Sequence, residues 1–332
     1  MPAPYTPHLL AAVEAVFRAA RVCLAVQAEF QPNSLEKKDR SPVTIADYAS
    51  QAVVCEHLHR VFPEIPVLAE EDAIELRQGE SQQFLDQVVA RLQQMGLAAT
   101  RELTCDWIDL GGHDGTAERY WTLDPIDGTK GFLRREQFAV SLALIVNGRI
   151  EVAALACPNL SARDPWDKQR GAIFSAVRGG GAWLTTLADP QGAVQPVRVS
   201  STSRPEAARV CESVESGHSD HSVSARIMRE LGIATDPVRL DSQAKYGVVA
   251  RGEADLYLRL PTRADYHEKV WDHAGGVLVV EEAGGIVTDI DGQPLDFSLG
   301  RELSRNRGVI VSNGQFHDRL LAAVAQSLSA GS

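Results

Sequence analysis

From Pro7 to Phe30, apolar side chains recur at Leu9, Val13, Val16, Phe17, Ala20 and Leu24, the spacing of one buried stripe on a helix. The polar stretch Gln31 to Ser41 interrupts this pattern. A second helix is expected from near Val43 to about Phe62, capped by Thr44 or Ser41 and stopped before Pro63. Val67-Leu68-Ala69 predicts a short strand that runs into Glu70-Glu71-Asp72, and a polar third helix is expected from about Asp86 to Met95. The texture then changes to strands. Trp121-Thr-Leu123 is short and apolar, and Ala139–Val146 and Glu151–Ala156 flank Asn147-Gly148, a strong hairpin signal. Ile173–Val177 and Ala182–Leu184 surround a glycine run that reads as a turn, because no lysine-serine pair or helical pattern follows it.

Ala188 to Pro196, with two prolines, a glycine and no periodicity, marks a boundary between a half over 1–195 and a half over 196–332. Beyond it short strands alternate with helices: Arg209–Glu212, helix 220–231, Val238–Leu240, helix 243–250, Asp255–Leu260 and helix 272–283. The first half therefore reads as antiparallel sheet plus helices (α+β) and the second as an α/β layer. A chain of 332 residues accommodates two domains at about 150 residues each.

With 33 basic and 44 acidic side chains the formal charge is −11, which argues against a nucleic-acid polymer as partner while leaving room for one locally basic pocket. The longest apolar run, Ala139 to Val146, is too short to span a bilayer, and the N-terminus carries no basic region followed by an apolar stretch. Cys23, Cys55, Cys105, Cys157 and Cys211 are scattered with no Cys-x-x-Cys spacing, so reduced, buried thiols in a cytoplasmic protein are expected. No protein partner is evident.

The most informative stretch is Trp121-Thr-Leu-Asp124-Pro-Ile-Asp127-Gly-Thr129-Lys-Gly-Phe132. It sets two carboxylates three residues apart where a strand turns into a possible helix. Pro125 stiffens the turn, Gly128 permits close approach, and the backbone N–H groups of Gly128 and Thr129 suit a phosphate oxygen. Carboxylates beside phosphate repel unless divalent cations stand between them, and hard oxygen ligands suit Mg²⁺. Asp-Pro-x-Asp-Gly alone also describes a surface turn, but Trp121, Leu123, Ile126 and Phe132 place these acids at the mouth of a packed sheet. Glu70-Glu71-Asp72 alone reads equally as a solvated charge run. In Trp271-Asp272-His-Ala-Gly275, Asp272 falls at the N-cap of an apolar helix that Gly284-Gly285 ends, and a capping aspartate needs no metal.

Together these motifs resemble the inositol monophosphatase superfamily of Mg²⁺-dependent, Li⁺-sensitive phosphatases, most closely its 3′(2′),5′-bisphosphate nucleotidase branch. Asp124–Thr129 and Trp271–Gly275 carry the superfamily motifs. Ser41-Pro-Val-Thr-x-Ala-Asp47, Asp127–Arg134, Ala156-Cys-Pro-Asn-Leu160, Asp241-Ser-Gln-Ala-Lys-Tyr246 and Tyr257-Leu-Arg-Leu-Pro261 carry the branch, in order over nearly the whole chain. The resemblance implies a layered αβαβα fold with the catalytic cleft between the halves. It implies Glu70, Asp124, Asp127 and Asp272, with the carbonyl of Ile126, as ligands of about two or three Mg²⁺ ions. Asp47 and Thr129 would be hydrogen-bonded and activate the attacking water, unless they are simply a helix-capping pair. The usual Gly-Glu-Glu appears as Ala69-Glu70-Glu71, which an extended backbone at Ala69 would tolerate.

For the substrate, the resemblance implies Gly128, Thr129 and Asp272 near the reacting group, and Ser242, Lys245 and Arg259 at a retained 5′-phosphate. His218, in Glu215-Ser-Gly-His218, would contact the nucleoside, although an isolated histidine is more often a surface residue. Lys130 and Arg134 would add positive field. The implied reaction is hydrolysis of the 3′-phosphate of adenosine 3′,5′-bisphosphate to AMP and phosphate, with 3′-phosphoadenylyl sulfate as a related substrate. An inositol phosphate or fructose bisphosphate phosphatase, or a non-catalytic nucleotide-binding regulator, are the competing readings.

Overall fold

The computed structural model describes residues 5–29, 42–214, 221–261, 263 and 266–329. Ser41, Glu215 and His218 lie outside them. Helix α1 (Thr6–Glu29) and helix α2 (Pro42–Val61) form close to the expected bounds and pack on each other. Strand β1 (Val67–Ala69) follows, then α3 (Gln82–Gln94), α4 (Arg101–Asp109) and β2 (Arg119–Asp127). The sequence pattern missed α4. That helix is short, with Cys105 and Ile108 among its few buried residues, and is started by the Thr100 side chain, which accepts a hydrogen bond from Leu103 N at 3.2 Å.

After α5 (Thr129–Arg134), the chain forms β3 (Ala139–Val146), β4 (Arg149–Ser161), β5 (Arg170–Val177), β6 (Gly181–Thr186) and β7 (Gln195–Pro196). Among the described residues these make one sheet in the order β1 to β7, antiparallel except for the β1–β2 pair. Asn147 and Gly148, at φ 49° and 72°, make the expected tight turn between β3 and β4. Leu142 and Leu144 of β3 enter the core shared with α1 and α2, while Ala143 and Ile145 enter the core on the other face. Burial on both faces explains why this strand reads as an unbroken apolar run rather than an alternation.

The second sheet comprises β8 (Val210–Glu212), β9 (Val238–Arg239), β10 (Leu256–Arg259), β11 (Ile286–Thr288) and β12 (Val309–Ser312), in the order β11-β12-β10-β8-β9. Helices α7 (Ala244–Ala250) and α8 (Ala274–Glu282) lie between the two sheets. They share a core with Phe174 and Leu155 on one side and Tyr257 and Val311 on the other. Helices α6 (His221–Glu230) and α9 (His317–Ser329) cover the far face through Ile227, Leu320 and Val324. Three cores between five layers make the αβαβα architecture. Strands β11 and β12 and helix α9 were also missed; the two strands, of three and four residues, are too short to show a period.

Helix α8 begins later than expected. Val270–Asp272 form a separate 3₁₀ turn, and His273, at φ −135°, precedes the first helical residue, Ala274. Asp272 therefore does not cap α8, which frees its carboxylate for other contacts.

Gly247 of α7 sits against the Phe174 ring, where an added Cβ would lie 2.4 Å from a ring carbon. In a solvent-exposed helix, Gly→Ala gains about 1 kcal/mol from propensity, whereas overpacking a core costs about 1–3 kcal/mol. Phe174 is fully buried and cannot retreat. Gly247→Ala is therefore expected to lower stability by about 1 kcal/mol or more in urea unfolding; a stabilised variant would contradict this packing.

Candidate active site

A regular strand places residues three apart on opposite faces. Strand β2 breaks that rule where it matters. Asp124 pairs with Ser141 and Asp127 with Ala139, so three steps on β2 oppose two on β3, a bulge centred on Pro125-Ile126. Pro125 has no N–H to donate and so favours the irregularity. The extra residue brings both carboxylates to one side, where Asp124, Ile126, Asp127, Gly128, Thr129 and Lys130 line an open cleft. Glu70, at the end of β1, Asp241, Ser242, Gln243 and Lys245, leading into α7, and Arg259 and Asp272 complete the walls with Tyr257 and Tyr266.

The structure thus brings together every expected metal ligand and, of the substrate contacts, Gly128, Thr129, Ser242, Lys245, Arg259 and Asp272; His218 falls outside the described residues. Asp47 does not reach the cleft wall. It is a buried residue of α2, Thr129 is exposed at the start of α5, and no hydrogen bond links them. The expected Asp47–Thr129 pairing is therefore not made. Ala69 is in a strand, so its backbone is extended, and its methyl group is accommodated because Gly111 faces it: a Cβ on Gly111 would lie 2.8 Å from that of Ala69.

The cleft is electrostatically strained. Asp124 is buried and its Oδ1 has no hydrogen-bond partner. Loss of hydration, then the charges of Glu70, Asp127, Asp272 and Asp47, pushes its carboxyl well above the usual range. Burial, followed by Glu71 and Glu70, raises Asp47 in the same way. Glu70 is driven up towards about 8 by lost hydration and by Asp272, Glu71 and Asp127. Because it sits on the exposed rim, water screens part of that crowding. Asp272 is raised to about 6 by burial, with Arg259 and His273 opposing. A partnerless buried oxygen among crowded carboxylates makes a donor set of hard oxygens, and it fits Mg²⁺.

A second group, Glu268, Asp272 and His273, offers oxygen and nitrogen atoms all within 4.8 Å of one another. Here the cation is already supplied by protein: Arg259 Nη2 lies 2.7 Å from Glu268 and 3.5 Å from Asp272.

Several residues that hold the cleft together escaped the sequence reading. Gln51, one turn after Asp47 on α2, accepts from Glu71 N at 3.0 Å and donates to Glu71 O at 2.6 Å. Ser50 donates to Pro125 O at 2.8 Å, and Gln27 to Phe132 O at 2.8 Å. Gln243 is the hub: its backbone N–H donates to Asp127, its side chain donates to Trp271 O at 2.9 Å, and its Oε1 accepts from Ser141 Oγ at 2.9 Å. Arg301 donates to Ala69 O at 3.2 Å and stacks 4.7 Å over Trp271, bracing the residues that precede Glu70 and Asp272. A polar side chain that bonds distant backbone leaves no periodic signal.

Two expectations about positive charge change. Arg134 pairs with both Glu136 and Asp241, so its field is largely cancelled at the cleft. Lys245 is buried, donates to Leu240 O at 3.1 Å and Ser242 O at 2.8 Å, and lies 5.1 Å over Tyr257. It braces the turn at Ser242, whose φ of 67° is costly for a non-glycine residue. Gly128, itself at φ 87°, leaves the space that Ser242 Cβ fills.

A profile of the inositol monophosphatase family matches residues 6–329. A 3′(2′),5′-bisphosphate nucleotidase of Schizosaccharomyces pombe is 43% identical over 303 residues, covering 88% of this chain and 86% of the relative. One from Oryza sativa is 41% identical over 345 residues, covering 98% and 95%. Among solved structures, an inositol monophosphatase from Zymomonas mobilis superposes with a TM-score of 0.65 at 20% identity, covering 97% of this chain and 99% of that one. That likeness concerns the fold. Among the described residues, no helix is long and apolar enough to cross a membrane.

The raised carboxyls have a measurable sign. A carboxyl whose folded pKa exceeds its unfolded value penalises the ionised fold, fully above the folded pKa and less as pH falls through it. With Asp272 near 6 and Glu70 towards 8, fewer protons remain for Mg²⁺ to displace at pH 8 than at pH 6. The rise in Tm on adding Mg²⁺ to EDTA-treated protein is expected to be larger at pH 8 than at pH 6; an equal or reversed rise would contradict the cluster's role. In EDTA at pH 8, Asp124→Asn is expected to raise Tm and to abolish the Mg²⁺ response. A lowered Tm with the response intact would contradict it.

Proposed function

The chain belongs to the inositol monophosphatase family, and from that premise we propose that it hydrolyses the 3′-phosphate of adenosine 3′,5′-bisphosphate, giving AMP and phosphate. The observation that carries this reading is a single cleft with an acidic end, Glu70, Asp124, Asp127 and Asp272, and a basic end, Lys245 and Arg259. A substrate with one phosphate to cleave and another to hold matches both ends; a monophosphate matches one. The identity with nucleotidases over nearly the full chain supports the same substrate class, and 3′-phosphoadenylyl sulfate presents the same reacting phosphate.

The carboxylates of Glu70, Asp124, Asp127 and Asp272 and the carbonyl of Ile126 would hold Mg²⁺, about two or three ions. When bound, that metal supplies the positive charge that neutralises the phosphoryl oxygens and favours ionisation of water. Thr129, exposed at the cleft mouth, orients the attacking water through its hydroxyl. Asp47, in its ionised form, accepts the proton through Thr129. Arg259 and Ser242 receive the retained 5′-phosphate, and the charge of Lys245 acts on it from behind the Ser242 turn. His218 would complete the nucleoside side. In this reading residues 1–195 contribute the metal-binding half and 196–332 the substrate-binding half. The five buried, unbridged cysteines support a reducing, cytoplasmic setting.

A phosphate-release panel with Mg²⁺ tests this directly. kcat/KM for adenosine 3′,5′-bisphosphate is expected to exceed that for inositol 1-phosphate or fructose 1,6-bisphosphate by about a hundredfold, as for a site that pairs a substrate charge it would otherwise leave exposed. Comparable values would return the assignment to an inositol phosphate or sugar phosphatase, and tight nucleotide binding without release would favour a regulator. Lys245→Ala is expected to slow every substrate, because it also loosens the Ser242 turn. Li⁺, a small hard cation, is expected to inhibit; an unchanged rate across a Li⁺ titration would count against an oxygen-rich metal site.

A further inference from the structure

Arg259 ends β10 and has two carboxylates within reach, yet its Nε is buried and has no hydrogen-bond partner. What fixes the guanidinium is a closed chain of polar contacts behind the cleft wall. Glu268 binds Arg259 Nη2 at 2.7 Å and His273 Nε2 at 3.1 Å. His273, fully buried, meets the Tyr246 hydroxyl through Nδ1 at 2.7 Å. Asp272, adjacent to His273 in the chain, closes the ring at 3.5 Å from Arg259.

With a neutral His273 ring the donors and acceptors match. A carboxylate only accepts, so Nε2 of His273 carries a proton; a singly protonated ring then accepts at Nδ1, and Tyr246 donates. Tyr246 can lie this close because α8 presents Gly276 to its ring, where a Cβ would be 2.3 Å from Cγ. Neither Glu268 nor His273 lines the cleft. Both are buried, and removing one member of such a network leaves a charged partner unpaired.

We propose that Glu268, oriented by His273 and Tyr246, is a positioning residue that holds Arg259 in the geometry that reads the substrate's second, non-reacting phosphate. This rests on the nucleotidase reading above. Without Glu268 the guanidinium loses its 2.7 Å ion pair and keeps only the 3.5 Å contact to Asp272, so it is no longer fixed in the direction that meets the ligand. The expected loss is therefore selective: it falls on the recognition of a 5′-phosphate and not on the nucleoside or the chemistry.

The test uses AMP, which carries the retained phosphate and has no 3′-phosphate to cleave, and adenosine, which has neither. Calorimetric titration of the Mg²⁺-loaded protein is expected to show AMP bound at least tenfold more tightly than adenosine, with about that tenfold lost in Glu268→Gln while adenosine binding is unchanged. Tyr246→Phe, which removes only the hydroxyl, is expected to lose a smaller part of the same preference. With adenosine 3′,5′-bisphosphate as substrate, Glu268→Gln is expected to raise KM and leave kcat within about threefold. An AMP preference retained in full by Glu268→Gln overturns the inference, as does an equal loss for AMP and adenosine, or a wild-type protein that does not prefer AMP. Turnover of the bisphosphate by the wild-type protein is read separately and reports on the nucleotidase assignment alone.

Discussion

Like charges forced together in a poorly hydrated cleft are the constraint on which this molecule is organised. Four carboxylates, from β1, the β2 bulge and the turn before α8, face one another. Asp124 is buried with an oxygen that bonds nothing. Such an arrangement opposes folding unless something positive enters it. The protein sets its own cation Arg259 against Asp272 of the cleft and Glu268 behind it. In the proposed reading the remaining negative charge would be met by a metal, and the repulsion among these carboxylates would become affinity for it.

Holding repelling groups in place requires rigid support, which comes from residues outside the cluster. The β2 bulge sets the facing of Asp124 and Asp127, and the Gln243 backbone N–H binds Asp127 from the opposite wall. Gln51 and Arg301 tie down the chain on either side of Glu70, and Arg301 also braces Trp271 beside Asp272. These supports come from α2, the segment before α7 and the segment after β11. The site therefore forms only when both sheets and the helices between them have assembled. The strained φ of Ser242, braced by buried Lys245, belongs to the same pattern of local strain held by surrounding structure.

Much of this was legible in the sequence. Long amphipathic helices, the Asn-Gly hairpin and the apolar runs of β3 and β4 declare themselves, because their periodicity or turn chemistry is local. The acids were legible through motif spacing and resemblance, and all of the expected metal ligands line one cleft. What the sequence concealed was of two kinds. Short elements, α4, β11 and β12, carry too little pattern to register. Contacts that depend on the fold, such as Gln243 to Asp127, Arg134 cancelled by Glu136 and Asp241, or Asp47 lying apart from Thr129, have no signature along the chain at all. Asp272 illustrates the difference: as sequence it is a helix cap, and only the 3₁₀ turn before α8 turns its carboxylate towards the cleft.

The central claim is that the acids of the cleft, and not the Glu268–Asp272–His273 group beside it, hold the metal. Crystals grown with Mn²⁺ in place of Mg²⁺ and measured at the manganese absorption edge would test it most directly. The account requires anomalous peaks among Asp124, Asp127, Glu70 and Asp272, with Arg259 still bound to Glu268. Peaks seated between Glu268 and His273, with the guanidinium displaced, or a cleft with no anomalous signal at saturating Mn²⁺, would contradict it.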